Sequence, residues 1–215
     1  MSHEILVNAS KIVVVSKASM NLLRMEFGLD PKKLSLVYEC VPINEFKSPL
    51  LTKESIKERL KAENRFIVGG SGVMSWRKGI DLFIHVSRKV LELNPESSIL
   101  FVWVGSIKRE IVEGYHYECE MLGQKPTVNF IDTTNDPASY FNAFDVFMLT
   151  SREDPFPLVV LENAAAANPI LCFKNSGGIP EFIEKKGGVS VPYLDIDAMA
   201  RQIIYWEQHQ DKARE

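Results

Sequence analysis

The sequence predicts an α/β protein built on a parallel β-sheet with helices on both faces. Short apolar runs alternate with amphipathic segments along most of the chain, which is typical of strand–helix–strand units. The runs are apolar throughout, as strands buried on both faces require. Such sheets bind ligands in the loops at the carboxyl ends of their strands, so those loops hold the candidate functional residues.

The first part of the chain has two predicted strands, at 12–15 and 34–38. Ser16 is a predicted N-cap for a helix between them, and this helix ends near Gly28. Residues 42–49 carry a proline at each end and show no periodicity, which predicts a linker and a domain boundary. The strand at 12–15 is expected to be buried, because it is entirely apolar.

The larger part of the chain repeats this pattern with more elements. Its predicted strands lie at 66–69, 99–104, 128–131, 146–149, 170–173 and 188–191, and its predicted helices at 80–93, 108–122, 158–167 and 198–206, with a short helix after Pro137. A Gly70–Ser71–Gly72 turn is predicted after the first of these strands.

Composition excludes several functional classes. The 215 residues carry a net charge of −3, and the pI is about 5.9, so no basic field suits nucleic acid or an anionic membrane. No targeting or membrane segment is visible. The three cysteines show neither metal-ligand spacing nor a disulfide framework, which favours a reducing cytoplasm.

The stretch from Thr150 to Asn168 carries the most informative polar residues. A strand ends there, a loop with two prolines follows, and the next helix carries Glu162 as its single charge. An ionised carboxylate is costly to bury unless it is hydrogen-bonded. Two interpretations stay open: Glu162 faces solvent or a basic neighbour, or it accepts hydrogen bonds from a ligand's hydroxyls, for example those of ribose.

Asp154 precedes Glu162 by eight residues, so the two flank the first turns of this helix. Asp before proline is an ordinary helix-start pattern, and Asp154 is therefore expected either as an N-cap or as a ligand-binding carboxylate. The N–H groups at the helix start, near Phe156, Pro157 and Leu158, favour an anion such as phosphate.

Two more loops combine glycines with other candidate residues. Arg77 and Lys78 stand where a helix begins; two cations disfavour that end of the helix dipole, so they indicate either a nearby anion or a solvated corner. Gly177 and Gly178 follow a later strand, where they form a plain turn or let the backbone approach a ligand closely.

Taken together and in this order, these stretches resemble the retaining family 4 glycosyltransferases, the group 1 type with a GT-B fold of two Rossmann-like halves. The first motif of that family matches at Lys78–Gly79; its usual arginine falls on Val73, and Arg77 is the candidate substitute. The family's two glutamates, separated by seven residues, correspond to Asp154 and Glu162.

The resemblance continues with two departures and one further match. The first glutamate has become Asp154, and the glycine of the family's Pro-Phe-Gly has become Pro157. The Gly-Gly-x-Pro-Glu motif matches at Gly177, Gly178, Pro180 and Glu181.

The resemblance implies transfer of a sugar, with retention, from a nucleotide diphosphate sugar to a hydroxyl acceptor. Lys78 and Asp154 would be the catalytic residues, and the donor would be bound by Arg77, Phe156, Pro157, Leu158, Glu162, Gly177 and Gly178. No cofactor and no metal is required, because cations and a helix terminus take the metal's place. Backbone groups near 128–132 would contact the base.

A metal-binding alternative exists near the end of the chain. Asp195 and Asp197 mimic the Asp-x-Asp of another glycosyltransferase class. They open the last predicted helix, so helix capping is the favoured interpretation.

The resemblance also predicts the domain organisation. Residues 1–46 would be the end of an N-terminal, acceptor-binding domain and its linker, and 47–215 a nucleotide-sugar-binding domain truncated at its C-terminus. The chain is then expected to be a fragment that binds the donor weakly and transfers no sugar. Its strand at 12–15 would lack neighbours, so we expect an unusual docking of this segment or a homodimer.

Two other functions stay open at this point. A GT-B sugar-nucleotide epimerase would use the same donor pocket without an acceptor. A non-catalytic nucleotide-binding α/β module would not need Glu162 and Lys78 to face one cleft. Membrane association of the full enzyme is compatible with the resemblance.

Overall fold

The structure is a computed structural model, which describes residues 3–183 and 187–213. Its strands are β1 Ile12–Val14, β2 Leu34–Leu36, β3 Ile67–Ser71, β4 Leu100–Val104, β5 Val128–Ile131, β6 Val146–Leu149, β7 Ile170–Phe173 and β8 Gly188–Val191. Its helices are α1 His3–Asn8, α2 Lys17–Phe27, α3 Ile43–Lys47, α4 Lys53–Leu60, α5 Ile80–Leu93, α6 Arg109–Met121, α7 Pro137–Ala143, α8 Leu158–Ala165, α9 Ile179–Ile183, α10 Ile196–Gln208 and α11 Gln210–Ala213.

Six strands form the main sheet in the order β5-β4-β3-β6-β7-β8, and every neighbouring pair is parallel. The chain proceeds outward from β3 to β5, returns to the middle at β6, and then proceeds outward on the other side. The strand order therefore reverses between β3 and β6. Ligands of open α/β sheets bind at this switch point, beside the carboxyl ends of the strands.

Helices cover both faces of the main sheet, as predicted. One face packs against α5, α6 and α10, and the other against α3, α4, α7, α8 and α9. Successive residues of a strand point to opposite faces. In β4, for example, Phe101 and Trp103 enter the first core while Leu100 and Val102 enter the second. The predicted α/β class with a Rossmann-like sheet is confirmed.

Gly70 and Ser71 belong to a strand instead of the predicted turn. β3 continues through Gly69 and Gly70 to Ser71. A Cβ at Gly69 would overlap the Phe144 ring, and one at Gly70 would lie 2.6 Å from Phe83. These glycines make room for aromatic side chains from each face, which is a requirement of packing that local sequence does not reveal.

The predicted linker contains a helix. Residues 43–47 form α3, and Phe46 is buried against the stacked ring of Phe141, with centroids 6.2 Å apart. The Asn142 side chain donates a hydrogen bond to the Phe46 carbonyl oxygen at 2.7 Å. The segment thus packs on α7, and the domain boundary at 46/47 stays a prediction.

The first part of the chain forms a small sheet of its own. β1 and β2 pair in parallel, and Leu34 of β2 forms a small buried cluster with Leu6 and Leu29. The prediction of a fully buried strand is wrong at Val13, which is 63% exposed. This segment contacts the loop after β7 through hydrogen bonds to Glu181, and the expectation of an unusual docking or a homodimer stays a prediction.

The end of α8 also differs from the prediction. The helix stops at Ala165, two residues before the predicted end, and Ala167 has the left-handed conformation at φ 61°. The buried Asn168 amide instead donates hydrogen bonds to the Phe141 carbonyl at 2.6 Å and to the Asn163 side chain at 3.0 Å.

Within the described ranges, no helix has the length and apolarity needed to cross a membrane.

Candidate donor-binding site

Lys78 and Asp154 meet at the switch point of the main sheet. Lys78 follows β3 and Asp154 follows β6, and the two strands are neighbours although these residues are 76 positions apart. The Lys78 Nζ donates to Asp154 Oδ2 at 2.6 Å, and the side chains are 17% and 8% exposed. A largely buried ion pair of this kind is strongly destabilised when one partner is removed.

Arg77 adds a second cation to this pair. Its NH1 donates to the Glu153 carbonyl at 3.0 Å and lies 3.8 Å from Asp154 Oδ2. Half of the Arg77 side chain is exposed. Two cations around one carboxylate leave a net positive charge, which favours an anionic ligand.

Backbone hydrogen bonds join the Gly177–Gly178 turn to the Asp154 loop. Asp154 N donates to Ser176 O at 2.7 Å, and Gly178 N donates to Pro155 O at 3.1 Å. Gly177 has φ 133°, and a Cβ there would overlap the Asp154 carbonyl. The glycines therefore allow a close approach between their own backbone and that of the Asp154 loop.

Asp154 is not the N-cap of α8. The helix begins at Leu158 and its N-cap position is Pro157, which has no side-chain hydrogen bond to the helix. Phe156 and Pro157 are buried, and the Phe156 ring packs 5.5 Å from Tyr38 and 6.3 Å from Phe182. Phe156 and Pro157 therefore pack beneath the loop, away from solvent, whereas Leu158 is 43% exposed.

Glu162 lies one turn into α8, on the same helix face as Leu158. Its carboxyl is half-buried, and burial raises its pKa above the ordinary value. Among residues 3–183 and 187–213, no side chain pairs with it by a hydrogen bond or salt bridge. The interpretation with a basic partner is therefore wrong for the described residues. The structure also shows no direct contact between Glu162 and the Lys78–Asp154 pair.

A cleft of about 1080 Å³ opens beside Asp154 and Gly177. Its other wall is α2, which contributes Lys17, Ser19 and Asn21. The cleft thus lies between the first part of the chain and the loops after β6 and β7.

Glu181 joins these two regions. Its Oε1 accepts hydrogen bonds from Lys17 N at 2.9 Å and Ala18 N at 3.4 Å, and its Oε2 accepts one from the Tyr38 hydroxyl at 3.1 Å. Ser16 Oγ accepts from Ser19 N at 3.0 Å, so the first three amides of α2 all have acceptors. Sequence motifs single out Glu181, but nothing local identifies Tyr38 as its partner.

The acidic pair near the chain end acts in helix capping. Asp195 Oδ1 accepts a hydrogen bond from Ala198 N at 2.9 Å and caps α10. Asp197 pairs with Arg201 one turn later. In the part of the chain that the structure describes, no three His, Cys, Asp or Glu side chains are grouped so that they could hold a metal ion.

Curated proteins similar to this chain are glycosyltransferases. An uncharacterized glycosyltransferase of Haemophilus influenzae is 29% identical over 142 residues, which cover 66% of this chain and 39% of that protein. The UDP-Gal:alpha-D-GlcNAc-diphosphoundecaprenol alpha-1,3-galactosyltransferase of Escherichia coli is 22% identical over 199 residues, which cover 91% of this chain and 50% of that protein. The chain spans half or less of the length of these relatives.

Solved structures share the fold. HepE of Anabaena, in complex with UDP and glucose, superposes with a TM-score of 0.85 at 22% identity over 100% of this chain and 60% of that one. A glycosyltransferase of Rickettsia africae gives a TM-score of 0.84 at 20% identity, over 99% of this chain and 57% of that one. This chain therefore has the architecture of one half of a GT-B protein.

The sequence profile of the family Glycosyl transferases group 1 matches residues 52–215. This range contains the Lys78–Asp154 pair, Glu162 and the Gly177–Gly178 turn. It spans more than half of the chain, and the motifs within it meet at the switch point of the sheet. The chain belongs to the group 1 glycosyl transferases.

Proposed function

We propose that this chain carries the donor-binding part of a retaining glycosyltransferase, which transfers a sugar from a nucleotide diphosphate sugar to a hydroxyl acceptor. The observation that carries the proposal is the Lys78–Asp154 pair, 2.6 Å apart at the switch point and beside the Gly177–Gly178 turn. Cationic residues at the carboxyl ends of parallel strands suit a phosphate-bearing ligand.

Lys78 and Arg77 would stabilise the leaving group. Departure of the nucleoside diphosphate builds negative charge on its phosphates, and fixed cations lower the free energy of that transition state. Backbone N–H groups at the start of α8, near Phe156–Leu158, would add to this effect. On this proposal no cofactor and no metal is required.

Asp154 and Glu162 would contact hydroxyl groups of the donor. A phosphate beside the Asp154 carboxylate would be repelled, so Asp154 would accept a hydrogen bond from the transferred sugar while holding Lys78 in position. Glu162 is half-buried without a described partner, and its raised pKa reflects that cost. Two ribose hydroxyls would donate to its carboxylate and offset the lost hydration.

UDP sugars are the donors to test first, because HepE structures contain UDP and UDP-glucose. The base would lie against backbone groups near 128–132, at the end of β5. A cytoplasmic location is proposed with this donor, and neither nucleic acid nor a membrane segment enters the proposal.

The first test measures the affinity for UDP. Replacing Lys78 with Ala is expected to weaken UDP binding roughly ten- to a hundredfold, since a charge-assisted hydrogen bond contributes about 1.5–3 kcal/mol. Isothermal titration calorimetry would measure it. Lys89→Ala is the matched control, because Lys89 pairs with Glu92 on an exposed helix face.

Lys78→Gln provides a second variant if Lys78→Ala folds poorly. It removes the charge but keeps a hydrogen-bond donor for Asp154, so its fold is less disturbed. Equal UDP affinities for Lys78→Gln and Lys89→Ala would contradict the phosphate-binding role of Lys78.

The second test concerns the ribose. Glu162→Gln keeps the size of the side chain and weakens its hydrogen bonds with hydroxyl donors. We expect UDP to lose several-fold affinity, about 1 kcal/mol, whereas inorganic pyrophosphate is bound as by the unaltered chain. Equal losses for both ligands in the same titration would refute the ribose assignment.

The third test concerns transfer itself. The chain spans about half the length of its relatives, so we propose that it binds the donor but transfers no sugar by itself, because catalysis needs the acceptor held next to the donor. A proton NMR assay with UDP-glucose would report the product and its anomeric configuration. Robust turnover by the chain alone would show that the acceptor site is misplaced. Only in that case would the anomeric configuration of the product test retention, and an inverted product would then exclude it.

A further inference from the structure

The loop between β3 and α5 presents an exposed tryptophan at the switch point. Trp76 is 72% exposed, whereas Trp103 and Trp206, the other two tryptophans of the chain, are 2% and 3% exposed. Trp76 therefore stands at the edge of the sheet where ligands of open α/β sheets bind. The proposed roles of Lys78 and Arg77 make no use of it.

The Trp76 indole is held in place by Arg152. The guanidinium carbon lies 4.7 Å from the indole centroid, and NH1 donates to the Trp76 carbonyl at 2.7 Å. The same guanidinium makes a two-point contact with the Asp81 carboxylate, at 2.9 and 2.6 Å. Only 12% of the Arg152 side chain is exposed, so this contact is not a loose surface ion pair.

Backbone bonds and charge make this arrangement rigid without a ligand. Arg152 N donates to Arg77 O at 2.9 Å, and the Tyr193 hydroxyl donates to Arg152 O at 3.0 Å. Hydrogen bonds from Arg152 hold the pKa of the Asp81 carboxyl below its ordinary value, which keeps the ion pair formed at neutral pH. A surface that is already ordered loses little entropy when it binds.

The guanidinium lies over one face of the indole, and most of the surface of Trp76 stays open to solvent. We infer that the open face of Trp76 is a stacking platform for a saccharide ring of the acceptor, an inference that rests on the proposed function. The face of an aromatic ring carries negative charge density, which attracts the positively polarised C–H groups on one side of a pyranose. Tryptophan offers the largest such face.

The location of Trp76 favours the acceptor over the donor. The base would lie after β5, whereas Trp76 leans toward Arg152 after β6, on the opposite side of β3. The donor sugar would occupy the cleft beside Asp154 and Gly177, whose lining does not include Trp76. A saccharide on Trp76 would therefore lie next to the donor sugar without replacing it.

The first part of the chain does not compete for this surface. Its α2 amides and Tyr38 are bonded to Glu181, in the loop after β7. Trp76, after β3, keeps its exposed face in the presence of that segment.

Tryptophan fluorescence tests the inference in this chain. Because Trp103 and Trp206 are buried, quenching by acrylamide reports mainly on Trp76, and Trp76→Phe provides the baseline. The probes are methyl α-glycosides of glucose, galactose and mannose, and UMP is the nucleobase probe. We expect at least one methyl glycoside, at about 0.2 M, to lower the quenching constant of Trp76 roughly twofold, as a weak stacking contact would. UMP should leave it unchanged.

Three results would overturn the inference: no protection by any methyl glycoside, protection by UMP alone, or the same protection in Trp76→Phe. Titration of UDP by calorimetry on the same samples separates the two proposals. UDP binding without saccharide protection would refute the platform and leave the donor site standing. Saccharide protection without UDP binding would refute the donor site instead.

Discussion

The two β-sheets of this chain are built from the same kind of unit and are buried to very different degrees. In the main sheet, β4 and β6 are buried along their whole length between two layers of helices. In the small sheet, Val13 of β1 is 63% exposed, and α2 has no buried residue. An apolar strand is therefore buried only where helices from other parts of the chain pack on both of its faces. The apolar sequence of the strand alone does not determine its burial.

The small sheet is stabilised in a different way. Its Leu6, Leu29 and Leu34 make a minor cluster, and its connection to the larger region uses polar contacts at Glu181 together with the Tyr38–Phe156 ring contact. The position of the small sheet therefore depends on a few hydrogen bonds and one ring contact, whereas the stability of the main sheet depends on the burial of apolar side chains.

The largest effect is expected from truncating a side chain of the main sheet. Phe147 in β6 is fully buried, so Phe147→Ala should lower the free energy of unfolding by about 3–5 kcal/mol through lost burial and a cavity. Urea denaturation, followed by tryptophan fluorescence, measures it.

Val13→Ala is the matched change in the small sheet. An exposed site loses little on truncation, and we expect less than about 0.5 kcal/mol. A cost near that of Phe147→Ala would mean that β1 is covered in solution, as a homodimer would cover it. Analytical ultracentrifugation at several concentrations would then identify the second copy.

A smaller effect is expected at the junction of the two regions. Glu181→Ala removes the acceptor of the Lys17 and Ala18 amides, a loss comparable to that of a helix cap, about 0.5–2 kcal/mol. Hydrogen exchange of these amides should accelerate roughly two- to thirtyfold, while the amides of β4 and β6 keep their protection.

Glu181→Gln is the control, because its amide oxygen still accepts a hydrogen bond. Its exchange rates should lie close to those of the unaltered chain. If Glu181→Ala left the Lys17 and Ala18 amides protected, the segment would be held by contacts other than Glu181, and the comparison above would have to be revised.

Much of the fold could be predicted from local pattern. The periodicity of 80–93 gives α5 with the observed bounds, and the apolar runs at 128–131, 146–149, 170–173 and 188–191 give four strands correctly. Errors arose where distant residues decide the local state. Gly70 stays in a strand, where the Phe83 ring fills the space beside it, and the predicted linker forms a helix whose Phe46 packs on α7.

The candidate site was predicted as a set of motifs, without its geometry. Lys78, Asp154 and Gly177 follow strands, and the rule for parallel sheets places all of them at one edge. Their roles stay predictions. Asp154 resembles an N-cap by local pattern, yet its carboxylate pairs with Lys78, and the helix begins only at Leu158, four residues later.

By itself, the sequence determined which segments are strands and helices, and which loops carry charge and glycine, because backbone preference and hydrophobic period act over a few residues. Only the tertiary structure decided that β3 and β6 are neighbours, since strand order depends on how whole layers pack. That one adjacency brings Lys78 to Asp154 and Arg152 to Trp76 across more than 70 residues of chain. The local sequence therefore supplies the residue types at the switch point, and the packing of the buried sheet brings those residues together.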